Sequence, residues 1–419
     1  MINKLLEWKE TTQKRPILLT GTRGVGKTYL AFDFAKAYYG ESIYINFERE
    51  PYLYDIFTTN NSSSIGDSLN TYFHLPESSH PILLILDEIS ACPNILTVIE
   101  MVSKATVSYH IITISSIFEE FNGIDDIFIQ LQLYPLDFEE FLIATGNNWY
   151  IEVIRLHFEL NKKLPDIVHQ ELLTLFEDYL QVGGMPSAVN EFINTETKYN
   201  VSEQHRILMN SYLSDVNQHN VDGDALKVRQ VFSTIDKQLI KENHKFQYTL
   251  IRKGATYAIY ADALKYIHDT FFGIRCNKLG DVSQDLNPSS FRNDIQLVFK
   301  LYMPDVGMLY STIRTTHQVI SEQIRKGIIE NYVAQSLTSK GYYLNFWESS
   351  SQAKIDFIII KGQQIIPIEV KTNDSTRSKN ISVFKPKCSY MTDSIKISTK
   401  NFEYSNNVKY VPIYAVFCI

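Results

Sequence analysis

The octapeptide GTRGVGKT at residues 21–28 restricts the fold of this chain more than any other feature of its sequence. It fits the pattern G-x-x-x-x-G-K-[ST], follows the apolar run PILLT and precedes YLAFDFAKAYYG, which has helical periodicity. A strand, a glycine-rich turn and a helix in this order predict a P-loop, whose backbone N–H groups bind phosphate at the N-terminus of a helix. We therefore expect a mainly parallel sheet that is covered by helices.

The composition of this loop predicts binding of ATP or ADP together with Mg²⁺. Its glycines let the backbone surround a phosphate without a Cβ clash. The ammonium group of Lys27 is expected to reach the β- and γ-phosphates, and the hydroxyl of Thr28 is expected to bind Mg²⁺. The expected nucleotide contacts are Gly21, Thr22, Arg23, Gly24, Val25, Gly26, Lys27, Thr28 and Tyr29.

Two further apolar runs end in residues suited to ATP hydrolysis. The run ILLILDE ends in Asp87, expected to hold Mg²⁺, and Glu88, expected to orient and polarise the attacking water. The run YHIITI is followed by two serines. We expect Ser115 to contact the γ-phosphate or the attacking water, with Thr113 as the alternative. Ordinary loop serines are the competing interpretation.

Length and composition favour several packed globular domains. The chain has 419 residues, of which 44% are hydrophobic and 21% charged, and this excludes a disordered or collagen-like protein. Its formal charge of −7 gives no overall basic character that would indicate nucleic-acid binding. The apolar runs are strand-sized, the N-terminus does not resemble a signal peptide, and the four cysteines form no CxxC pair. We expect a cytoplasmic protein that does not enter the membrane.

The hydrophobic pattern changes along the chain. Short apolar or alternating runs at residues 16–20, 42–47, 81–86 and 109–114 predict the strands of the first sheet. From about residue 137 to 216 the pattern is helical, and residues 225–311 are predicted as short helices followed by strand pieces. From residue 323 onward, a helix, three strands, a helix and two strands predict a second α/β domain.

Together these motifs resemble the prokaryotic AAA-type ATPases that carry a winged helix and a C-terminal PD-(D/E)XK nuclease-like domain. Besides GTRGVGKT and LDEI at Asp87, the resemblance is carried by LYPLDFEEF at 133–141, YLQVGGMP at 179–186, FKLYMPDVGML at 299–309, KIDFIII at 354–360 and IPIEVK at 366–371. The likeness extends over nearly the whole chain and follows the order of motifs in that family.

The resemblance implies an α/β multidomain fold. Its expected parts are a P-loop AAA-type ATPase core at residues 1–142, a helical region completing the ATPase module at 143–224, a winged-helix-like domain at 225–315, and a restriction-endonuclease-like α/β domain of the PD-(D/E)XK type at 316–419.

The sequence departs from the family pattern in two places. Members usually carry Gly-Arg shortly after the strand that corresponds to YHIITI at 109–114, whereas this chain has SSIFEEFNGIDD there and no arginine between Arg49 and Arg155. Because an arginine finger contributes about 10³–10⁵ in rate, slow hydrolysis is expected unless a later domain or a neighbouring subunit supplies one. In addition, Lys354 stands where the family more often has an acid. Residues 119–140 contain seven acids and no Lys or Arg, which predicts a solvated acidic surface.

The middle segment resembles a winged helix, a domain type in which one helix often contacts DNA. Arg252, Lys253 and Lys265 are candidates to contact phosphate, but the candidate helix ADALKYIHDT also carries Asp262 and Asp269. Two interpretations therefore stay open: a DNA-contacting domain, and a module that packs against other domains or a protein partner.

The last domain contains a constellation of acids and a lysine. Glu369 and Lys371 lie at i and i+2 on a predicted strand, so they project from one face, and a neighbouring strand can bring Asp356 beside them. These residues match the family's D…ExK, and Glu330 matches its helical acid. The resemblance implies a second Mg²⁺ or Mn²⁺ held by Glu330, Asp356 and Glu369, with phosphodiester hydrolysis by Asp356, Glu369 and Lys371. Residues 371–400 hold seven basic and two acidic residues, a local charge of +5 that suits a nucleic-acid backbone.

Two functions remain open at this point. The first is an ATPase with slow hydrolysis that is coupled to a DNA-binding, metal-dependent nuclease domain. The second is a nucleotide-dependent protein-interaction switch whose nuclease-like domain is an inactive scaffold. The filled D…ExK pattern and the basic stretch favour the first, whereas the missing arginine and the acidic total favour the second. An oligomer is compatible with either.

Overall fold

The computed structural model describes the chain except for residues 12–14, 58–64, 66–67, 70, 75–80, 93, 104–108, 117–126, 196, 220–223, 281–285, 289–290, 292–296, 350–352 and 375–377. Part of the predicted acidic surface (Glu119, Glu120, Asp125 and Asp126) and Arg377 of the basic stretch lie outside the described residues. By its internal contacts the chain divides into two compact units, Met1–Tyr134 with Asp269–Phe271, and Pro135–His268 with Phe272–Ile419.

The described part of the first unit contains a five-stranded parallel sheet of order β2-β3-β4-β1-β5. Its strands are β1 (Ile17–Thr20), β2 (Ser42–Asn46), β3 (Ile82–Asp87), β4 (Tyr109–Ile114) and β5 (Ile129–Gln132). Its helices are α1 (Ile2–Glu10), α2 (Lys27–Tyr38) and α3 (Ile95–Ser103), with short 3-10 helices at Pro51–Phe57 and Ile89–Ala91. The expectation of a parallel α/β sheet is confirmed, and the four predicted strands are present. The edge strand β5 was missed.

Side-chain alternation along β3 explains why helices cover both faces of this sheet. Leu83 and Ile85 pack into one apolar cluster with residues of α1 and α2. Leu84 and Leu86 point to the opposite face and pack with residues of α3. A strand that is buried on both faces is a continuous apolar run, as ILLIL is. The polar residues that follow these runs therefore collect at the carboxyl edge of the sheet.

The second unit combines many helices with a mixed sheet. Its helices are α4 (Phe138–Ala144), α5 (Trp149–Leu160), α6 (Asp166–Val182), α7 (Pro186–Thr195), α8 (Lys198–His219), α9 (Ala225–Phe232), α10 (Ile235–Leu239), α11 (Tyr257–Asp269), α12 (Val306–Thr316), α13 (Glu322–Ser339) and α14 (Asn380–Phe384), with 3-10 helices at Tyr248–Leu250, Lys385–Lys387 and Ile413–Cys418. Its strands are β6 (Ile274–Lys278), β7 (Phe299–Tyr302), β8 (Leu344–Glu348), β9 (Lys354–Lys361), β10 (Gln364–Val370), β11 (Ser394–Ser398), β12 (Glu403–Ser405) and β13 (Val408–Pro412). Among the described helices of the whole chain, none is long and apolar enough to cross a bilayer.

The described strands of this unit form one sheet of order β12-β13-β11-β10-β9-β8-β6-β7. Strands β6 and β7 come from the segment expected to be a winged helix, and β6 pairs in parallel with β8, where Asn277 lies opposite Asn345. Sequence reasoning missed this pairing because the two strands are far apart in the chain. The helical region at 143–224, expected to complete the ATPase module, shares one hydrophobic core with the C-terminal segment. The boundaries at residues 142, 224 and 315 stay predictions.

Two of the motifs that carry the resemblance, YLQVGGMP and DVGML, meet in this core. The buried carboxylate of Asp305 accepts hydrogen bonds from the backbone N–H of Met308 at 3.0 Å and of Gly184 at 2.6 Å. A Cβ at Gly184 would lie 1.9 Å from the carbonyl oxygen of Leu136, and a Cβ at Gly307 would lie 2.5 Å from that of Val182. Both glycines are therefore required by a close approach of backbone to backbone.

Candidate nucleotide-binding site

The loop at residues 21–26 has the backbone conformation of a phosphate-binding loop. Gly21, Gly24 and Gly26 have φ angles of 135°, 78° and 98°, a region that favours glycine. A Cβ at Gly21 would also lie 2.2 Å from the carbonyl oxygen of Leu133. Helix α2 begins directly after Gly26, so its first N–H groups face the loop. The glycines that the sequence motif prescribes are thus needed for the shape of the loop.

Lys27 is folded back onto this loop. Its side chain is buried, with 5% exposure. Its Nζ donates hydrogen bonds to the carbonyl oxygens of Gly21 at 2.7 Å and Thr22 at 3.2 Å. The ammonium group is therefore held against the loop, where phosphate oxygens would replace the two carbonyls as acceptors.

Thr28 and Asp87 are brought into direct contact. The hydroxyl of Thr28 donates to Asp87 Oδ2 over 2.9 Å, and the hydroxyl of Tyr44 donates to the same oxygen over 2.8 Å. The backbone N–H of Glu88 donates to Asp87 Oδ1 over 2.9 Å. Burial raises the pKa of Tyr44 to about 12, so this phenol stays protonated and keeps Asp87 in place. Sequence reasoning missed Tyr44. The feature that could have indicated this contact is the register of β2 against β3, in which Asn46 lies opposite Asp87.

Glu88 occupies a left-handed backbone conformation with φ of 50° at the end of β3. Its Oε1 accepts a hydrogen bond from the hydroxyl of Ser116 at 2.8 Å. Burial raises the pKa of the Glu88 carboxyl, and the charge of Lys27 opposes this rise. A carboxylate with a raised pKa is a stronger general base than an exposed one.

The two serines after β4 have different contacts. Ser116, and not the preferred Ser115, is the serine whose hydroxyl contacts Glu88. Ser115 is buried, and its backbone N–H donates to Leu19. The alternative, Thr113, is fully buried and donates its hydroxyl to the carbonyl of Ile17. A role for Ser115 in catalysis stays a prediction.

The remaining expected contacts differ in exposure. Val25 is buried, Arg23 is half-buried, and Tyr29 on the first turn of α2 is exposed. The hydroxyl of Thr22 is buried and has no hydrogen-bond partner among the described residues, which indicates a donor and acceptor position within the loop that a ligand would satisfy. Together with the folded-back lysine and the hydroxyl–carboxylate pair, this donor set fits Mg-ATP.

The acids of the expected nuclease site are paired with cations. Glu330 on α13 is 1% exposed, and its Oε2 accepts hydrogen bonds from His244 at 2.8 Å, Lys300 at 3.0 Å and Tyr302 at 3.1 Å. Although burial favours the neutral acid, contacts with His244 and Lys300 hold the pKa of Glu330 well below its ordinary value. These partners come from elements far away in the sequence, and no sequence motif indicated them.

Lys326 bridges two of the predicted metal ligands. Its Nζ lies 3.6 Å from Glu330 Oε1 and 3.7 Å from Asp356 Oδ1. The other oxygen of Asp356 accepts a hydrogen bond from the backbone N–H of Val370 at 2.9 Å. A lysine thus lies between the carboxylates that were expected to bind a divalent cation.

Glu369 and Lys371 contact each other, as their spacing predicts, with Lys371 Nζ 2.9 Å from Glu369 Oε1. Asn380 donates to the same oxygen, while Ser378 donates to Oε2, and Lys396 lies 3.6 Å from that atom. Burial raises the pKa of Glu369, but Ser378 and Lys371 outweigh it and the net shift is downward. Across the described residues, no three His, Cys, Asp or Glu side chains form a group that could hold a metal ion, so the expected second Mg²⁺ or Mn²⁺ site has no support in this geometry.

A comparison with known protein families supports the assignment of the first unit. Residues 13–142 match the family described as AAA domain. Residues 173–319 and 325–416 match two domains of unknown function, DUF8612 and DUF4143. The chain therefore contains a P-loop AAA-type ATPase domain, with the Gly21–Thr28 loop and Asp87 inside the matched residues.

Matches to whole proteins are distant. No curated protein matches the chain. Among solved structures, the Walker-type ATPase of Pyrococcus abyssi is similar with a TM-score of 0.43 and 12% identity, over 74% of this chain and 94% of that chain. PCH-2 of C. elegans is similar with a TM-score of 0.24 and 18% identity, over 36% of this chain and 44% of that chain.

Proposed function

We propose that the first unit binds Mg-ATP and hydrolyses it slowly. The observation that carries this proposal is the 2.9 Å hydrogen bond from Thr28 to Asp87 beside a loop onto which Lys27 is folded. Thr28 and Asp87 would hold Mg²⁺, which when bound neutralises the charge on the phosphate oxygens. Lys27 and the loop N–H groups would bind the β- and γ-phosphates.

Glu88 is the proposed general base of this reaction. Its buried carboxyl has a raised pKa and is oriented by Ser116, so it can position a water and accept its proton. The sequence between Arg49 and Arg155 contains no arginine. Hydrolysis by this chain alone is therefore slow, and an arginine from a later part of the chain or from a second subunit in an oligomer would accelerate it.

Phosphate release from Mg-ATP tests this assignment. Glu88→Gln is expected to keep ATP affinity and to lose hydrolysis. Glu41→Gln, which removes an exposed carboxylate just before β2, serves as the matched control and is expected to turn over like the wild type. Equal turnover in Glu88→Gln and the wild type would mean that another group is the base.

A second proposal concerns the C-terminal segment, which we infer to be a nuclease-like scaffold that does not cleave. The pairing of Glu330, Asp356 and Glu369 with lysines supports this reading over the nuclease. On this account the nucleotide state of the first unit controls a partner that binds the second unit, and that partner is DNA or a protein.

Measurements of metal binding and of DNA cleavage distinguish an inactive scaffold from an active nuclease. Mn²⁺ binding is measured by titration calorimetry on nucleotide-free protein from which metal has been removed with EDTA. Cleavage is measured on plasmid and on single-stranded DNA. If the segment is an inactive scaffold, Asp356→Ala should change neither Mn²⁺ binding nor DNA cleavage. Cleavage by the wild type that Asp356→Ala abolishes would overturn the scaffold and restore the nuclease.

A further inference from the structure

A series of hydrogen bonds connects the turn after β2 with the carboxylate of Asp87. Tyr44 and Asn46 lie two residues apart on β2, so their side chains project from the same face of the sheet. Asn46 Nδ2 lies 3.2 Å from the hydroxyl of Tyr44, and that hydroxyl lies 2.8 Å from Asp87 Oδ2. Asn46 Oδ1 accepts hydrogen bonds from the backbone N–H groups of Glu48 at 3.1 Å and Arg49 at 3.0 Å. The backbone turn is thus linked, through two side chains, to the acid that is expected to hold Mg²⁺.

Each hydrogen bond in this series has a fixed direction. Backbone N–H groups only donate, so the amide atom of Asn46 that faces the two N–H groups of the turn is its oxygen. The amide nitrogen therefore faces Tyr44 and donates to its hydroxyl. A phenol carries one proton and a carboxylate only accepts, so the proton of Tyr44 is directed to Asp87. The turn therefore sets the orientation of a donor that binds Asp87.

The ring of Tyr44 is held separately, by a contact with α2. Its centre lies 4.7 Å from the ring centre of Phe32, and the two ring planes are 48° apart. Phe32 follows Thr28 by one helical turn, so the two side chains lie on the same face of α2. Because the ring packs against Phe32 and the hydroxyl binds Asp87, a phenylalanine at position 44 would remove the hydrogen bond and keep the packing.

Tyr44 and Thr28 donate to the same carboxylate oxygen. Both bind Asp87 Oδ2, while Oδ1 accepts from the backbone N–H of Glu88 at 2.9 Å. Asp87 is 3% exposed, so donors of the protein and not bulk water orient its carboxylate. Since the proton of Thr28 is directed to Asp87, the lone pairs of the Thr28 oxygen stay available to a cation. The orientation of Asp87 therefore determines how the hydroxyl of Thr28 is presented.

We propose that Tyr44 and Asn46 are positioning residues for the metal ion of the nucleotide site. Asn46 orients the hydroxyl of Tyr44, which holds Asp87 in the orientation that directs the Thr28 hydroxyl. The inference rests on the proposed binding of Mg-ATP and extends that site to residues of β2. Groups that orient metal ligands typically contribute about 10–100-fold to metal affinity. Phosphate binding by the loop at residues 21–26 does not involve Tyr44 or Asn46, so the two residues should affect only the metal-dependent part of nucleotide affinity.

Equilibrium binding of mant-AMPPNP, a fluorescent ATP analogue that is not hydrolysed, tests the proposal in excess EDTA and in saturating Mg²⁺. In the wild type, Mg²⁺ should increase the affinity. Tyr44→Phe should leave the affinity in EDTA unchanged and reduce the gain from Mg²⁺ by about tenfold or more. Asn46→Ala should reduce this gain by a smaller factor, because the hydroxyl of Tyr44 remains but is no longer oriented. Tyr38→Phe removes a hydroxyl at the other end of α2 from Lys27 and should behave like the wild type.

The comparison of the two conditions distinguishes positioning of the metal from a general loss of structure. A gain from Mg²⁺ in Tyr44→Phe equal to that in the wild type would overturn the proposal. Equal weakening of Tyr44→Phe in EDTA and in Mg²⁺ would also overturn it, because the hydroxyl would then support the whole site. If the wild type bound the analogue under neither condition, the proposed function itself would be wrong, and this inference with it.

Discussion

The hydroxyl of Thr28, at the start of α2, donates a hydrogen bond to Asp87 at the end of β3 over 2.9 Å. These two residues are 59 positions apart in the chain, and a parallel sheet brings them to the same edge. Tyr44 from the neighbouring strand fixes the same carboxylate oxygen. The fold therefore places the two groups expected to hold Mg²⁺ next to each other, and a site that the fold arranges in advance reduces the cost of binding.

Ser116, which follows β4, is expected to affect the pH dependence of ATP hydrolysis. Glu88 must be ionised to act as a base, and burial raises its pKa, so activity should fall on acidification at a higher pH than for an exposed glutamate. Ser116 donates to this carboxylate and lowers its pKa. Ser116→Ala should therefore move the acidic limb of the kcat profile to higher pH. Ser115→Ala is the control, and a shift in that variant instead would assign the contact to Ser115.

Gly184 is expected to be essential for stability. A Cβ there would meet the carbonyl of Leu136 at 1.9 Å, and both are backbone positions that cannot move independently. Gly184→Ala should destabilise the second unit by about 3 kcal/mol or more in urea unfolding, at the upper end of the usual cost of overpacking. Gly280→Ala provides the comparison, because its Cβ would meet no atom of the described residues within 4 Å. Similar unfolding midpoints for the two variants would contradict the close approach.

Lys300 is expected to stabilise the fold through Glu330. Removing its ammonium leaves a fully buried carboxylate with one partner fewer, and breaking a buried pair costs about 3–5 kcal/mol. Lys300→Met should therefore lower the free energy of unfolding by roughly that amount. Lys245→Met breaks a half-exposed pair with Glu348, 2.8 Å apart, and should cost about 1 kcal/mol or less. If both variants lost the same small amount of unfolding free energy, Glu330 would not be held as a buried ion.

The basic stretch at residues 371–400 can be tested as a DNA-binding surface. Lys371, Lys396 and Lys400 each lie within ion-pair distance of a glutamate, so they are less able to attract phosphate than the sequence count implies. Lys379 and Lys385 have no such partner among the described residues. Reversing both charges to Glu should weaken duplex DNA binding at low salt and reduce its salt dependence. Unchanged affinity would favour a protein partner for this surface.

The glycine-rich loop and the strand that carries Asp87 could be predicted from local motifs, because the residues concerned are consecutive in the sequence. The glycines of the loop, Lys27 and Thr28 follow one another, and Asp87 with Glu88 ends an unmistakable buried strand. Ser116 was missed because the choice between adjacent serines depends on the turn after β4 and not on residue type. The same holds for Tyr44, whose contact with Asp87 depends on the register of two strands.

The C-terminal acids illustrate the opposite case. Their residue types and spacing match a metal-dependent nuclease, and the predicted contact between Glu369 and Lys371 is present. Among the partners of Glu330, His244 and Lys300 reach it from 86 and 30 positions away, and Lys326 lies one helical turn earlier. Whether an acid meets a metal or a lysine is decided by such long-range contacts, and a single sequence does not reveal them.

Thermal stabilisation by Mg-ATP tests the central claim most directly. The wild type should melt several degrees higher with saturating Mg-ATP than without it, because a ligand that binds only the folded state adds to its stability. Lys27→Ala should lose this shift, while Lys36→Ala, which removes an exposed lysine from the same helix, should keep it. An unchanged melting shift in Lys27→Ala would contradict the assignment of residues 21–28 as the nucleotide-binding loop.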